Sequence, residues 1–390
     1  MIFDTQAADR STSRIINRTA LIDLIYKCDG ISKAQLAAVL GLSKPAVSKN
    51  VDDLMAMGLV EERGTSESGE KGGRRPTMLH FNSGFGYVGA VDLSLQRPIC
   101  AIGDMNHNML CQNVAKVHRN ASAAEKCECI LQTFKNMLAE LSIPANKLEV
   151  LVISHPGIID ANNEAHYTGE RHHAWTNIGL KQFLEQTLSI PIVLNSNVTL
   201  ASIGEMVLGF GEQFTDLIYI DCGVGLGAGV IIDGKPYEGR NRAAAGIWAV
   251  LLDDGQTVEE VAALNGLIKR IEQLFAKNGQ PHEELDFEKI VEFSRQGNPL
   301  VNESIREIGL TLGRIIYNTS VIFDVQSVVF GGEYLQLGNI LLDAMEETLA
   351  QSIPFPITLQ KSRLLDMAGL YGGFVVGRDM ILQKSLSTLT

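Results

Sequence analysis

Residues 31–60 read ISKAQLAAVLGLSKPAVSKNVDDLMAMGLV, and their local chemistry decides how the chain begins. Ser32 with Gln35 three residues later forms a capping box, which predicts a helix from Lys33. Leu36, Ala37 and Leu40 give it one apolar face, and Gly41 permits a tight turn. Ser43 is placed to cap a second helix whose first turn holds Pro45, where a missing N–H costs nothing. Val47, Val51 and Leu54 recur at helical spacing, so one face of this second helix is buried. Lys33, Ser43, Lys44, Pro45, Ser48 and Lys49 lie at or near the opposite surface. A helix, a glycine turn and a helix with small and basic residues near its start describe a helix-turn-helix. The second helix would enter a DNA major groove N-terminus first.

The pattern by itself also fits an ordinary helical hairpin in a core. The residues that follow favour DNA. Gly58 to Glu62 ends the helix and starts a strand; a polar, glycine-rich tip (64–73) comes next; Gly73-Arg74-Arg75-Pro76 leads into a second strand, Thr77–Phe81. That is a wing with paired arginines at its base, and Arg74 and Arg75 suit phosphates and a narrow minor groove. Upstream, a helix over Ser13–Lys27 is expected to pack against the helix-turn-helix.

The chain has 390 residues, 45% hydrophobic and 20% charged, as in a globular protein of two or three domains. Its net charge of −12 is uneven: residues 1–80 hold 11 Lys and Arg against 10 Asp and Glu, and the rest 22 against 35. An acidic body would keep itself off DNA while a small head binds. The first residues lack a signal-peptide core and no apolar run could span a membrane, so a cytoplasmic location is expected. The six cysteines are scattered through apolar runs and read as reduced thiols. Cys127 and Cys129, two residues apart, lie on different helix faces and make no metal site.

After a break at Asn82-Ser83-Gly84 the pattern changes. Three short apolar strands are predicted at Tyr87–Ser94, Ile99–Met105 and Met109–Val117. A helix (121–141), a strand (148–154), a helix (178–188), a strand (191–194) and a helix (198–209) follow. A second half restarts with a strand at 217–220, a glycine-rich turn at 223–229 and a strand at 230–233. Helices are predicted over 258–276, 287–295 and 301–323, then a strand at 327–330, a closing strand near 364–367 and a helix from Tyr371. Two related α/β halves with a cleft between them is the expected architecture.

Several of these segments resemble one family. Gly73-Arg-Arg-Pro76, His155-Pro-Gly-Ile-Ile-Asp160, Asn195-Ser-Asn197 with Gly204-Glu205, Gly223–Gly229, Ala245-Gly246 and Phe330-Gly-Gly-Glu333 resemble the motifs of ROK-family transcriptional regulators, relatives of the ROK sugar kinases. The resemblance covers nearly the whole chain. It implies an N-terminal winged helix-turn-helix (1–82) followed by a two-domain actin-like, ribonuclease-H-like body. A smaller α/β subdomain would comprise 83–210 and 371–390, and a larger one, also used for oligomerisation, 211–370.

Departures from the family pattern refine the expectation. The kinases have Asn-Asp-x-Asn, whose Asp is the general base for a sugar hydroxyl; the matching position here is Ser196, whose hydroxyl cannot serve as that base near neutral pH. Their first phosphate loop, Asp-x-Gly-Gly-Thr, is here Asp92-Leu93-Ser94-Leu95-Gln96, without the glycines that let backbone approach a phosphate. The glycines of 223–229 are read as a hairpin kept for the fold. No catalytic residue is therefore assigned. Family members also carry Ala-Gly-Glu-x-Gly-His and a zinc-binding cysteine cluster. Here the line is Ala245-Gly-Ile247-Trp248-Ala249-Val250 with no cysteine following, so neither zinc nor any other cofactor is expected.

By the resemblance, 155–173 borders the sugar site. Gly157, Arg171, His172, His173, Trp175, Asn195 and Ser196 form the expected effector set. Histidines plus arginine suit an anionic sugar derivative; a polar surface loop that happens to be His-rich fits equally. The expectation is a homodimeric or homotetrameric repressor of carbohydrate-metabolism genes, bound to a pseudo-palindromic double-stranded operator and controlled by a sugar-like effector. An ATP-dependent sugar kinase with a fused head, and a regulator with a vestigial cleft, are the alternatives.

Overall fold

A computed structural model of the chain describes residues 10–28, 30–65, 77–94, 97–118, 120–160, 165–166, 175, 178–280, 284–350 and 355–387. The wing tip with Arg74 and Arg75, and the Arg171-His172-His173 segment, lie outside the described residues.

The head comprises α1 (Arg10–Lys27), α2 (Lys33–Leu40), α3 (Lys44–Ala56), β1 (Val60–Thr65) and β2 (Thr77–Phe81). Both predicted caps are present. Ser32 and Gln35 make the reciprocal box at α2, and Ser43 Oγ accepts from the Ala46 N–H at α3. Gly41 takes the left-handed conformation (φ 63°) that the turn requires. β1 and β2 pair antiparallel, and an Ile31–Leu79 bridge ties the wing to the start of the helix-turn-helix.

The body repeats one sheet plan twice. The first sheet runs β5-β4-β3-β6-β9, with β3 (Tyr87–Asp92), β4 (Ile99–Asp104), β5 (Met109–Val114), β6 (Leu148–His155) and β9 (Ile192–Ser196). The hairpin β7 (Ile158–Ile159)–β8 (Ala165–His166) projects beyond β6. The second sheet runs β12-β11-β10-β13-β14, with β10 (Leu217–Cys222), β11 (Leu226–Ile232), β12 (Lys235–Pro236), β13 (Ser327–Gly331) and β14 (Thr358–Lys361). In each, two antiparallel pairings are followed by two parallel ones. These are the two related α/β halves expected from the strand order, and their plan is that of the ribonuclease-H-like fold the resemblance implies.

Helices cover the sheets. α4 (Ala123–Glu140) and α5 (Leu180–Leu188) pack together in a core under the first sheet. The second sheet is backed by α7 (Val258–Ala262), α8 (Leu264–Lys277), α9 (Phe287–Arg295), α10 (Pro299–Phe323) and α11 (Asn339–Leu349). α6 (Asn197–Gly204) and α12 (Ala368–Ser387) cross where the halves meet. A Cβ on Gly204 would lie 2.4 Å from the Ala368 carbonyl oxygen, and one on Gly372 1.8 Å from that of Leu200, so the two backbones touch directly.

Four predicted elements differ. The 258–276 helix is two helices, broken at the extended Ala263. The helix expected to reach Gly209 turns into a wider π turn at 205–209, where the Glu205 carboxylate accepts from the N–H groups of Arg363 and Leu364 and from the Ser362 hydroxyl. The stretch 223–229 is a short turn plus the first half of β11. The closing strand is Thr358–Lys361, and 365–367 is a 3-10 turn. One apolar cluster runs without interruption from Leu21, Ile22 and Ile25 in the head to Val88, Val150, Leu370 and Phe374 in the body.

Candidate functional site

Two surfaces carry the predicted residues. On the head, Val47, Val51 and Leu54 bury one face of α3, and Arg18 on α1 pairs with Asp53 to fix the helix from behind. The opposite face leaves Lys44, Pro45 and Lys49 exposed and Ser48 half-buried at the N-terminal half. A helix N-terminus with exposed lysines and no acidic residue in its first turn suits a phosphate backbone. Lys33 is less free than the sequence suggests. Its Nζ lies 2.6 Å from Asp52, which also accepts from Ser48 Oγ at 3.4 Å.

Between the sheets lies a cleft of about 920 Å³. The ends of β3 and β10 supply Asp92 and Asp221, topologically equivalent positions in the two halves. Asp92 is buried and accepts from both the Ser94 N–H (2.8 Å) and the Ser94 hydroxyl (2.5 Å). Burial raises its pKa, against those hydrogen bonds. Asp221 has the Tyr219 hydroxyl at 3.4 Å; burial first, then Asp92 and Asp366, push it up to about 7. Glu259, Glu333 and Asp366 add further carboxylates to the wall, and Arg242 a cation.

The expected effector residues divide. Gly157, Trp175 and Ser196 line the cleft. Gly157 is needed for packing: a Cβ there would lie 2.5 Å from the His166 carbonyl oxygen. Trp175 is 9% exposed in the core below, with the Lys126 ammonium 5.6 Å from its ring centre, so little of it faces a ligand. Asn195 is not among the lining residues; its Oδ1 accepts from the Ser196 N–H. Ser196 caps α6, its Oγ 3.4 Å from the Thr199 N–H. His166 reaches the cleft and pairs with Asp160 at 2.9 Å, whereas His155 is buried, its Nδ1 accepting from the Gly157 N–H.

Residues 242–248 form a wall that residue-type reasoning did not single out. Arg242 and Ala245 both have positive φ (53° and 57°), a strained conformation for residues with a Cβ. Ile247 points into the core at 3% exposure, while Trp248 faces the cleft. Val250 is exposed and outside the lining. The signal is Trp248, two residues after Gly246, in the segment that departs from the family pattern by lacking the glutamate and histidine. Among the described residues no cluster of three or more His, Cys, Asp or Glu is arranged to hold a metal. No described helix is long and apolar enough to cross a membrane.

Known proteins resemble the chain along nearly its whole length. The model of the ROK family matches residues 88–379, and that of the MarR family matches 13–72. The xylose repressor of Caldicellulosiruptor bescii is 25% identical over 386 residues, covering 92% of this chain and 94% of its own. A solved ROK family transcriptional regulator, homologue of the Escherichia coli MLC protein, superposes with a TM-score of 0.80 at 20% identity, over 96% of this chain and 99% of that one. A ROK family glucokinase from Streptomyces griseus, solved with glucose and AMPPNP, superposes with a TM-score of 0.60 at 22% identity, over 75% of this chain and 100% of that one, which is a likeness of fold.

Proposed function

The chain belongs to the ROK family, and we propose that it is a cytoplasmic, homo-oligomeric repressor of sugar-metabolism genes whose cleft binds the effector. The observation that carries this reading is Ser196. It stands in the cleft where the resemblance places a kinase's base, and its hydroxyl caps a helix. A cleft of about 920 Å³ survives around it, and a winged helix-turn-helix precedes it. Such a protein can bind a sugar and bind DNA without transferring a phosphoryl group.

The described wall supports a neutral effector over an anionic one. Asp92, Asp221, Glu259, Glu333 and Asp366 outnumber Arg242, and they would accept hydrogen bonds from sugar hydroxyls while repelling a carboxylate or phosphate. Trp248 offers a flat apolar face for a sugar ring. The relative named as a xylose repressor makes D-xylose the first compound to try. Two heads in a C2 dimer would read a pseudo-palindromic operator, with Lys44, Ser48 and Lys49 at the major groove and Arg74 and Arg75 at the wing.

The test begins with selection of duplexes from a randomised pool by the full chain, followed by titration with D-xylose and with anionic sugars. Release of the selected DNA by D-xylose is expected, together with a thermal shift equivalent to about 2.7 kcal/mol at 100 times the dissociation constant. Replacing Arg74 and Arg75 with Ala should weaken binding similarly across sequences and lower the salt dependence by about two charges. Failure to select any duplex would defeat the DNA reading. Release by an anionic sugar alone would defeat the neutral effector, and hexose-dependent ADP formation would restore a kinase.

A further inference from the structure

A buried arginine of the body grips the head. Arg378 lies midway along α12 and is 7% exposed. Its guanidinium carbon is 4.0 Å from the centre of the Tyr26 ring on α1 and 5.4 Å from that of Phe81 on β2. Those two rings meet edge to face at 5.8 Å. The Tyr26 hydroxyl is 3.0 Å from Nδ1 of His107, which belongs to the β4–β5 turn of the body. His107 is 4% exposed and sits at φ 63°. Burial, with the Arg378 charge adding to it, pushes its pKa down to about 4, so the imidazole is neutral. Asp379, 3.9 Å from Nη1, Asp23 on α1 and the buried Asp104 at the end of β4 are nearby acidic groups.

The surroundings make this arrangement expensive. One continuous apolar cluster runs through the head–body junction, and Leu or Met at position 378 would extend it. Instead a charge is sealed in, with Nε and Nη2 lacking hydrogen-bond partners, as does Nε2 of His107. What a guanidinium supplies and an aliphatic chain does not is a single geometry. Apolar surfaces can slide over one another, whereas a planar cation over a ring that is itself hydrogen-bonded holds one angle. The first turn of α12 lines the cleft at Ala368 and Gly369. Arg378 is nine residues beyond Gly369, about 13.5 Å along a rigid helix.

We propose that Arg378 is a positioning residue whose grip on Tyr26 and Phe81 sets the angle at which the head is presented to DNA, and with it the half-site spacing the assembled protein accepts. This rests on the oligomeric DNA-binding reading above. The test is the same duplex selection, run with the full chain and its variants and read for half-site sequence and spacing separately. The wild type is expected to select paired half-sites at one spacing. Arg378→Met, which keeps the stem, should select the same half-site with spacings spread over several base pairs, and lose on the order of tenfold affinity for the wild-type spacing. Arg378→Lys, which keeps a positive charge but not the planar fork, should recover only a minor part of that loss.

Unchanged spacing in a folded Arg378→Met protein would overturn the proposal. So would a changed half-site, which would place Arg378 in base recognition. If Arg378→Met does not fold, Tyr26→Leu decides, since it removes the ring that Arg378 covers: broadened spacing supports the proposal and wild-type spacing overturns it. Selection of a single unpaired half-site by the wild type would overturn it while leaving DNA binding intact. Selection of no duplex at all would be failure of the DNA reading itself.

Discussion

The two sheets of the body have the same order and the same pairing, yet they end differently at the cleft. After β3, the chain turns back on its own aspartate: Ser94 donates twice to Asp92, and Leu93 is buried. After β10, the Gly223 N–H reaches the Gly225 carbonyl in a tight turn, and β11 runs straight past α6. A Cβ on Gly227 would lie 2.7 Å from Val198 Cγ1, and one on Gly229 2.5 Å from the Val198 carbonyl oxygen. Those two glycines answer to a helix. Gly225 does not, since its nearest neighbour would be the flexible end of Glu259 at 3.3 Å. A duplicated scaffold can therefore keep a glycine-rich segment for packing in one half while losing the corresponding loop in the other.

The crossing of α6 and α12 is where this comparison breaks most completely, because both halves depend on it. Gly372→Val would place a side chain within the Leu200 backbone, which cannot move without parting the helices. A loss of about 4 kcal/mol or more is expected, seen as insoluble protein or collapse of the cooperative melt. Within the glycine segment the effect should depend on position. Gly229→Ala meets backbone and Ser202 and should cost about 1–3 kcal/mol, whereas Gly225→Ala should stay within about 0.5 kcal/mol. Chemical denaturation of the two variants checks this. Equal losses would mean that the segment has one shared role, such as holding a phosphate-bearing ligand, and not the packing role argued here.

The head was more legible than the cleft, and the reason is distance along the chain. Ser32 and Gln35, or Ser43 and Ala46, act on each other within one helical turn, so their chemistry is visible in a short window. The cleft is assembled from Asp92, Ser196, Asp221, Arg242 and Asp366, which meet through sheet pairing and helix crossing. Residue type alone could not say that Asn195 would turn its Oδ1 onto the next backbone N–H, or that Trp175 would sink into the core while Trp248 faced the cleft. The closing strand was misplaced for a related reason. Thr358–Lys361 is polar because it is an edge strand, and the more apolar residues near Leu364 looked the better candidate. α11 is missing from the expected elements although its period is legible: Asn339, Asp343, Glu346 and Glu347 line the exposed face opposite buried Leu341, Leu342, Met345 and Leu349.

The smallest expected effect sharpens the pairing of Asp92 with Asp221. Both carboxylates are raised by burial, but Asp92 keeps two hydrogen bonds from Ser94 while Asp221 has Tyr219 at 3.4 Å and faces Asp92 and Asp366. A carboxyl whose pKa is higher folded than unfolded binds its proton more tightly in the folded state. The stability it contributes is fully present below the ordinary value near 3.8, and is lost as pH rises to about 7. The melting temperature of the wild type should therefore carry a downward component between pH 4 and 7. Asp221→Asn, which stays neutral, should remove that component and melt about 1–3 °C higher at pH 8. Asp92→Asn should gain less, since it forfeits a carboxylate that Ser94 already satisfies. If the two variants gained equally, the different loops after β3 and β10 would have no electrostatic consequence at the cleft. If Asp221→Asn alone also raised the affinity for D-xylose above pH 7, the same buried charge would be opposing closure on the effector.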